Sequence, residues 1–171
     1  MDAGSTRNRR SDAQDNRERI VAAARAVFGA ARDAPTREVA RAAGVGVATV
    51  YRHFPSREDL VDAVLRELVD GCERDLRAAV AHEDPRAGLE MVIRAFAARQ
   101  AEHRELGTVL LRRFQKERAE HSAQFEALVA RAALREGLTV QDVRAALMGI
   151  AGVSTAAVPR LTDVVLAGIL A

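Results

Sequence analysis

The stretch that leaves this chain the fewest options is TREVARAAGVGVATVYRHFPSREDL, from Thr36 to Leu60. It reads as two short helices joined by a glycine turn, with a further helix starting at once. Val39, Ala40, Ala43, Val45, Val50 and Phe54 recur at helical spacing and can close a small core. The other side holds Arg37, Thr49, Tyr51, Arg52, His53 and Arg57, a set with no carboxylate in it. Such a surface suits phosphates, so the stretch is read as a DNA-binding helix-turn-helix. Its second helix, ending near Phe54, is too short to persist alone and must be held by its neighbours. Gly44 supplies the turn, where a left-handed backbone is cheap only for glycine.

The flanks support this frame. Ile20, Ala24, Val27, Phe28 and Ala31 form one helical stripe, which predicts a supporting helix from about Asp15 to Ala31. Arg17, Glu18, Arg19 and Arg25 lie off that stripe. Residues 1–14 lack apolar periodicity, and a mobile basic arm is expected there, with Arg7, Arg9 and Arg10 able to lie along DNA. Thr36 follows Pro35 and is expected to cap its helix, while Ser56 and Asp59 resemble a capping box for the next one. That next helix, Arg57 to Ala81, carries Leu60, Val64, Leu68, Cys72 and Leu76 on one stripe. The expected organisation is an arm over 1–14, a helix-turn-helix domain over 15–58 and a helical regulatory and dimerisation domain over 59–171.

Composition agrees with an all-α chain of about nine helices. Hydrophobic residues make up 49%, but Ala and Val dominate, aromatics are 4% and there is no Trp. No apolar run approaches the roughly 20 residues of a membrane span. The basic start has no apolar signal core, so a cytoplasmic protein is expected. Cys72 is the lone cysteine, and the scattered histidines lack ligand spacing; no metal or cofactor is expected. No nucleophile, acid–base or phosphate-loop constellation is present, which argues against an enzyme. The charge is uneven: residues 1–57 carry 11 Arg against 6 acids, and the remainder 15 Arg and Lys against 18 acids. The basic part coincides with the helix-turn-helix.

At RERIVAAARAVF and TREVARAAGVGVATVYRHFPSREDLVDAV the chain resembles the N-terminal domain of the TetR family of bacterial transcriptional regulators. The resemblance covers roughly residues 17–65. It implies phosphate contacts from Thr36, Thr49, Tyr51, His53 and Arg57. Base contacts then fall to Arg37, Val47 and Ala48, with Arg37 suited to guanine and Val47 to a thymine methyl. The departures are a shorter connection between Phe28 and Val39 and an apolar Gly46–Val47 edge where polar residues are common.

In the second half, Asp84-Pro85 starts a helix carrying Leu89, Val92, Ile93 and Phe96. Segments around 106–114 and 122–135 follow. Met91, Phe96, Leu110, Phe114 and Phe125 are its bulkiest side chains, so they are expected to line any ligand pocket. Thr139–Asp142 caps a helix to about Ala157, and Pro159 is expected to separate it from a last helix, Leu161 to Leu170. That helix is apolar almost all round. Val143, Leu147, Ile150, Leu161, Val165 and Ile169 are therefore expected in a four-helix homodimer interface, which the resemblance also implies. The expected function is a dimeric repressor that binds a near-palindromic operator in double-stranded DNA and is released by a small, largely apolar effector. The alternative is control by a partner protein.

Overall fold

Gly44 sets the geometry of the N-terminal half. In the computed structural model it takes the left-handed conformation, φ 66° and ψ 34°, at the end of α2 (Thr36–Ala43). The Val45 N–H donates to the Ala40 carbonyl and the Gly44 N–H to the Arg41 carbonyl, so the last carbonyls are satisfied as the chain reverses. After this turn comes α3 (Val47–His53). Before it lies α1 (Ala3–Ala30), and after it α4 (Arg57–Val80). The structure describes the backbone of residues 3–117 and 119–170, and the side chains of 14–107, 109, 110, 112, 113 and 121–170.

Two compact units result, residues 1–66 and 67–171, with the boundary inside α4. The first has a core of Ile20, Val21, Ala24, Phe28, Val39, Ala40, Ala43, Val50, Phe54, Leu60 and Val64, all buried. Expectation and structure part in two places here. Helix α1 begins at Ala3 rather than near Asp15. The apolar stripe locates the packed part of a helix, whereas Ala, Arg and Gln ahead of it extend the helix at little cost. The side chains of Arg7, Arg9 and Arg10 lie outside the described residues. Thr36 does not cap α2; Pro35 holds the cap position and Thr36 is the first helical residue.

The second unit adds α5 (Pro85–Glu102), α6 (Arg104–Glu117), α7 (Ala119–Arg131), α8 (Val140–Gly152), a 3-10 turn (Thr155–Ala157) and α9 (Val158–Ile169). Among the described residues there is no strand beyond one isolated bridge between Leu134 and Leu170. No helix there is long and apolar enough to cross a membrane. Local rules explain the starts. The Asp84 carboxylate accepts from the Arg86 N–H at 2.8 Å, with Pro85 at the first helical position. Thr139 and Asp142 form a reciprocal capping box. The stops differ from expectation. Ala133 adopts φ 50°, which ends α7 before Arg135. Helix α8 ends at Gly152, not near Ala157, and Pro159 sits in the first turn of α9, where its missing N–H costs nothing.

The core of this unit joins Leu76, Leu89, Ile93, Leu128, Val129, Val143, Ile150 and Leu166. Gly88 is needed for it: a Cβ there would stand 2.4 Å from the Ala79 carbonyl oxygen, closer than α4 and α5 can accommodate.

Candidate nucleic-acid interface and a cavity in the second unit

Helix α3 has one fully buried residue, Val50, and Phe54 follows it into the core. With that side anchored, Val47, Ala48, Tyr51 and Arg52 are exposed, and Thr49 and His53 are half-buried. Tyr51 is 47% exposed, so it is no core aromatic. Arg37 on α2 is exposed as well. These residues thus reach the surface of one unit, and α3 itself carries no acid.

Three arginines hold this arrangement together. Arg17 on α1 stacks over the Phe54 ring, 4.7 Å from its centroid. Arg19 donates to the Ala43 carbonyl at 2.7 Å, putting a cation on the C-terminal end of α2. Arg57 lies over Phe28, 4.8 Å from the centroid, and its guanidinium donates to the carbonyls of Arg32 and Ala34. Arg17 and Arg19 were expected to face away from the packed side of α1; they instead make bonds to α2 and to the end of α3. Sequence alone gave no signal for this, since the partners lie far along the chain.

Two expected phosphate contacts look different in place. Thr36 is buried, 8% exposed, so its side chain is turned largely inward. Arg57 is engaged with the α1–α2 connection. At the start of α4, the Ser56 N–H and hydroxyl both donate to Asp59 Oδ2, at 3.0 and 2.7 Å, and Asp59 N–H donates back to Ser56 Oγ at 3.0 Å. The Ser56 hydrogen bonds hold the Asp59 carboxyl below the usual carboxylate value.

The second unit holds a half-open cavity of about 540 Å³, within the range of small-molecule sites. Phe96, Leu110 and Phe125 line it, as expected. Met91 does not: it is 39% exposed on α5, because the cavity faces the side carrying Val92, Ile93 and Phe96. Phe114 lies outside the described side chains. Sequence reasoning missed the polar wall: Asp75, Arg99, His121, Ser122, Gln141 and Arg144. The one available signal was spacing, since Arg99 follows Phe96 by three residues on α5 and shares its face. Cys72 also lines the cavity rather than the core, and burial pushes its thiol up.

The expected dimer residues are placed inside the protomer. Val143, Ile150 and Ile169 are buried in the core, and Leu147, Leu161 and Val165 pack half-buried against it. Each packs within its own unit, while Leu147, Leu161 and Val165 keep part of their surface exposed. The exposed residues are Gln141, Asp142, Ala145, Met148, Gly149 and Gly152 on α8, and Pro159, Arg160, Asp163, Val164, Ala167 and Gly168 on α9. Val164 is 61% exposed, and nothing lies within 4 Å of a Cβ placed at Gly149, Gly152 or Gly168.

A helix-turn-helix head followed by a helical unit with a ligand-sized cavity defines a class of DNA-binding regulator. Residues 20–64 match the bacterial regulatory proteins of the tetR family. A solved TetR transcriptional regulator from Streptomyces coelicolor is 31% identical with a TM-score of 0.64, over 90% of this chain and 98% of that one. A TetR transcription regulatory protein from Mycobacterium vanbaalenii is 29% identical with a TM-score of 0.66, over 95% and 99%. The ketosteroid transcriptional regulator of Mycobacterium tuberculosis shares the fold, at 20% identity and a TM-score of 0.60 over 91% and 95%. A search of curated proteins finds no significant match. The chain belongs to the TetR family of transcriptional regulators.

Proposed function

We propose that this regulator is a homodimeric repressor that leaves a near-palindromic operator when a small molecule enters the cavity of its second unit. The observation that carries the reading is the course of α4. One end places Leu60 and Val64 among the buried residues of the DNA-binding unit; the other places Cys72, Asp75 and Leu76 on the cavity wall. A ligand that binds better to one position of α4 therefore biases the position of α3. That is a population shift, and it requires different ligand affinities in the two states.

On DNA, α3 enters the major groove, and two protomers read half-sites one or more helical turns apart. Thr49, Tyr51 and His53 set register on phosphates, joined by Thr36 and Arg57 where their side chains are free to reach. Arg37, Val47 and Ala48 face the bases, and Arg37 carries the most information because it alone offers a bidentate fork. The second copy docks on the outer α8–α9 surface, whose small residues allow close approach. On this reading the protein works in the bacterial cytoplasm, on the nucleoid. The cavity favours a small effector over control by a partner protein.

The test is anisotropy titration of the purified protein at moderate salt with labelled DNA from upstream of its own gene. Tighter binding there than to shuffled DNA is expected. Equal binding to both rejects the reading.

A further inference from the structure

We infer that the effector is an amphipathic acid: an apolar body with one carboxylate, its anionic end seated at Arg144. The inference rests on reading the cavity as the effector site. Most of the cavity is apolar, with Phe96, Leu110 and Phe125 among its walls, which suits a hydrocarbon or aromatic body. Among the described lining residues, two guanidiniums, Arg99 and Arg144, stand with one carboxylate, Asp75.

The two arginines differ in their partners. Arg99 donates to Asp75 at 2.7 Å and lies tight against α4, its Nη2 3.0 Å from where a Cβ on Gly71 would stand. Both members of that pair are cavity residues, so Arg99 is neutralised in place. Arg144 donates to Glu126 at 2.8 Å and to the Ser122 hydroxyl. Glu126 is not a lining residue, and its side chain is 49% exposed, so the carboxylate of this pair faces solvent and not the cavity. From inside the cavity Arg144 is therefore the cation whose countercharge lies outside. Its fork offers five donors, of which these two bonds use one nitrogen. A carboxylate can be received on the rest, beside the Ser122 hydroxyl. An entirely apolar ligand would instead cover this guanidinium without replacing its water, which is unfavourable. A cationic ligand would meet these guanidiniums, while Asp75, the carboxylate among the described lining residues, is already paired with Arg99. A carboxylate meets both demands.

The experiment compares acids with their uncharged amides on the full-length protein by isothermal titration. The probes are straight-chain acids from hexanoate to palmitate, a set of arylalkanoic acids, and the matching primary amides. The best acid should bind at least about tenfold more tightly than its amide, and the preference should vanish in Arg144→Met but persist in Arg144→Lys. Arg94→Met, which removes a surface ion pair to Asp163 outside the cavity, should leave it unchanged. Equal affinity of acid and amide overturns the anionic end while leaving the cavity as an effector site. A preference that survives Arg144→Met overturns the role of Arg144. Binding by neither series overturns the effector reading along with the inference. The acid–amide comparison on the unaltered protein decides the main point even if the Arg144 variants fail to fold.

Discussion

Arg57 lies over the ring of Phe28, 4.8 Å from its centroid, and ties the start of α4 to the loop that leaves α1. The loop between α1 and α2 is short, and its carbonyls at Arg32 and Ala34 point to this guanidinium. A planar fork can stack on an aromatic face and bond two carbonyls at once; an ammonium cannot do both. Arg57→Lys should therefore cost about 1–2 kcal/mol of stability although it preserves charge. Thermal unfolding checks this. An unchanged melting temperature with weakened DNA binding would return Arg57 to a purely phosphate-contacting role.

Tyr51 and Arg37 are both exposed yet should fail in different ways. Tyr51→Phe removes one hydroxyl from a side chain that packs little, so stability should change by less than about 0.5 kcal/mol. Affinity for operator and random DNA should fall together, by about fivefold, as expected of one lost phosphate hydrogen bond. Arg37→Ala should cost about 1–3 kcal/mol on the operator and relax preference at one base pair. Anisotropy titrations against operator variants separate the two. A sequence-selective loss from Tyr51→Phe would contradict its place on the backbone.

The cap of α4 has a pH signature. Asp59 has a lowered carboxyl pKa in the folded protein, through its Ser56 hydrogen bonds. A group with a depressed folded value stabilises above its unfolded value, about 3.9, and loses that stabilisation as pH falls through the lower folded value. Asp142, bonded to Thr139 at the start of α8, follows the same sign. The gap in melting temperature between the protein and Asp59→Ala should hold steady from neutral pH to about pH 5, then narrow toward pH 3. A gap that stays constant down to pH 3 would show that the carboxylate charge is not what the cap uses.

What could be read in advance was governed by local rules. Gly44, Ser56–Asp59, Asp84–Pro85 and Thr139–Asp142 each act within a few residues, and each turn or cap forms as its spacing implies. The core stripe of α4 was equally legible, with Leu60, Val64, Leu68 and Leu76 all buried. Local rules do not choose among partners distant in sequence. Periodicity says that Val143, Ile150 and Ile169 are buried, but not whether by their own unit or by a second copy. The polar wall was hidden for the same reason. Arg99 meets Asp75 across 24 positions and Arg144 meets Ser122 across 22, and neither pair leaves a trace in local pattern.

The outer face of α8 and α9 gives the last prediction, because it can be tested by the sign of an effect. Within a lone protomer, a methyl at Gly149 or Gly168 would meet nothing within 4 Å, unlike Gly88, where it would strike the Ala79 carbonyl at 2.4 Å. Replacing glycine by alanine in a helix otherwise stabilises by up to about 1 kcal/mol. Gly88→Ala should thus destabilise by about 1–3 kcal/mol or more, whatever the oligomeric state. If α8 and α9 face open solvent, Gly149→Ala and Gly168→Ala should raise the melting temperature. If a second copy packs closely there, larger residues such as Gly149→Leu should break the dimer even though the protomer has room for them. Sedimentation velocity across a concentration series reads this directly. Ala145 and Met148 belong both to this face and to the cavity wall, so dissociation should also weaken ligand binding. A Gly149→Leu protein that remains dimeric would place the interface elsewhere.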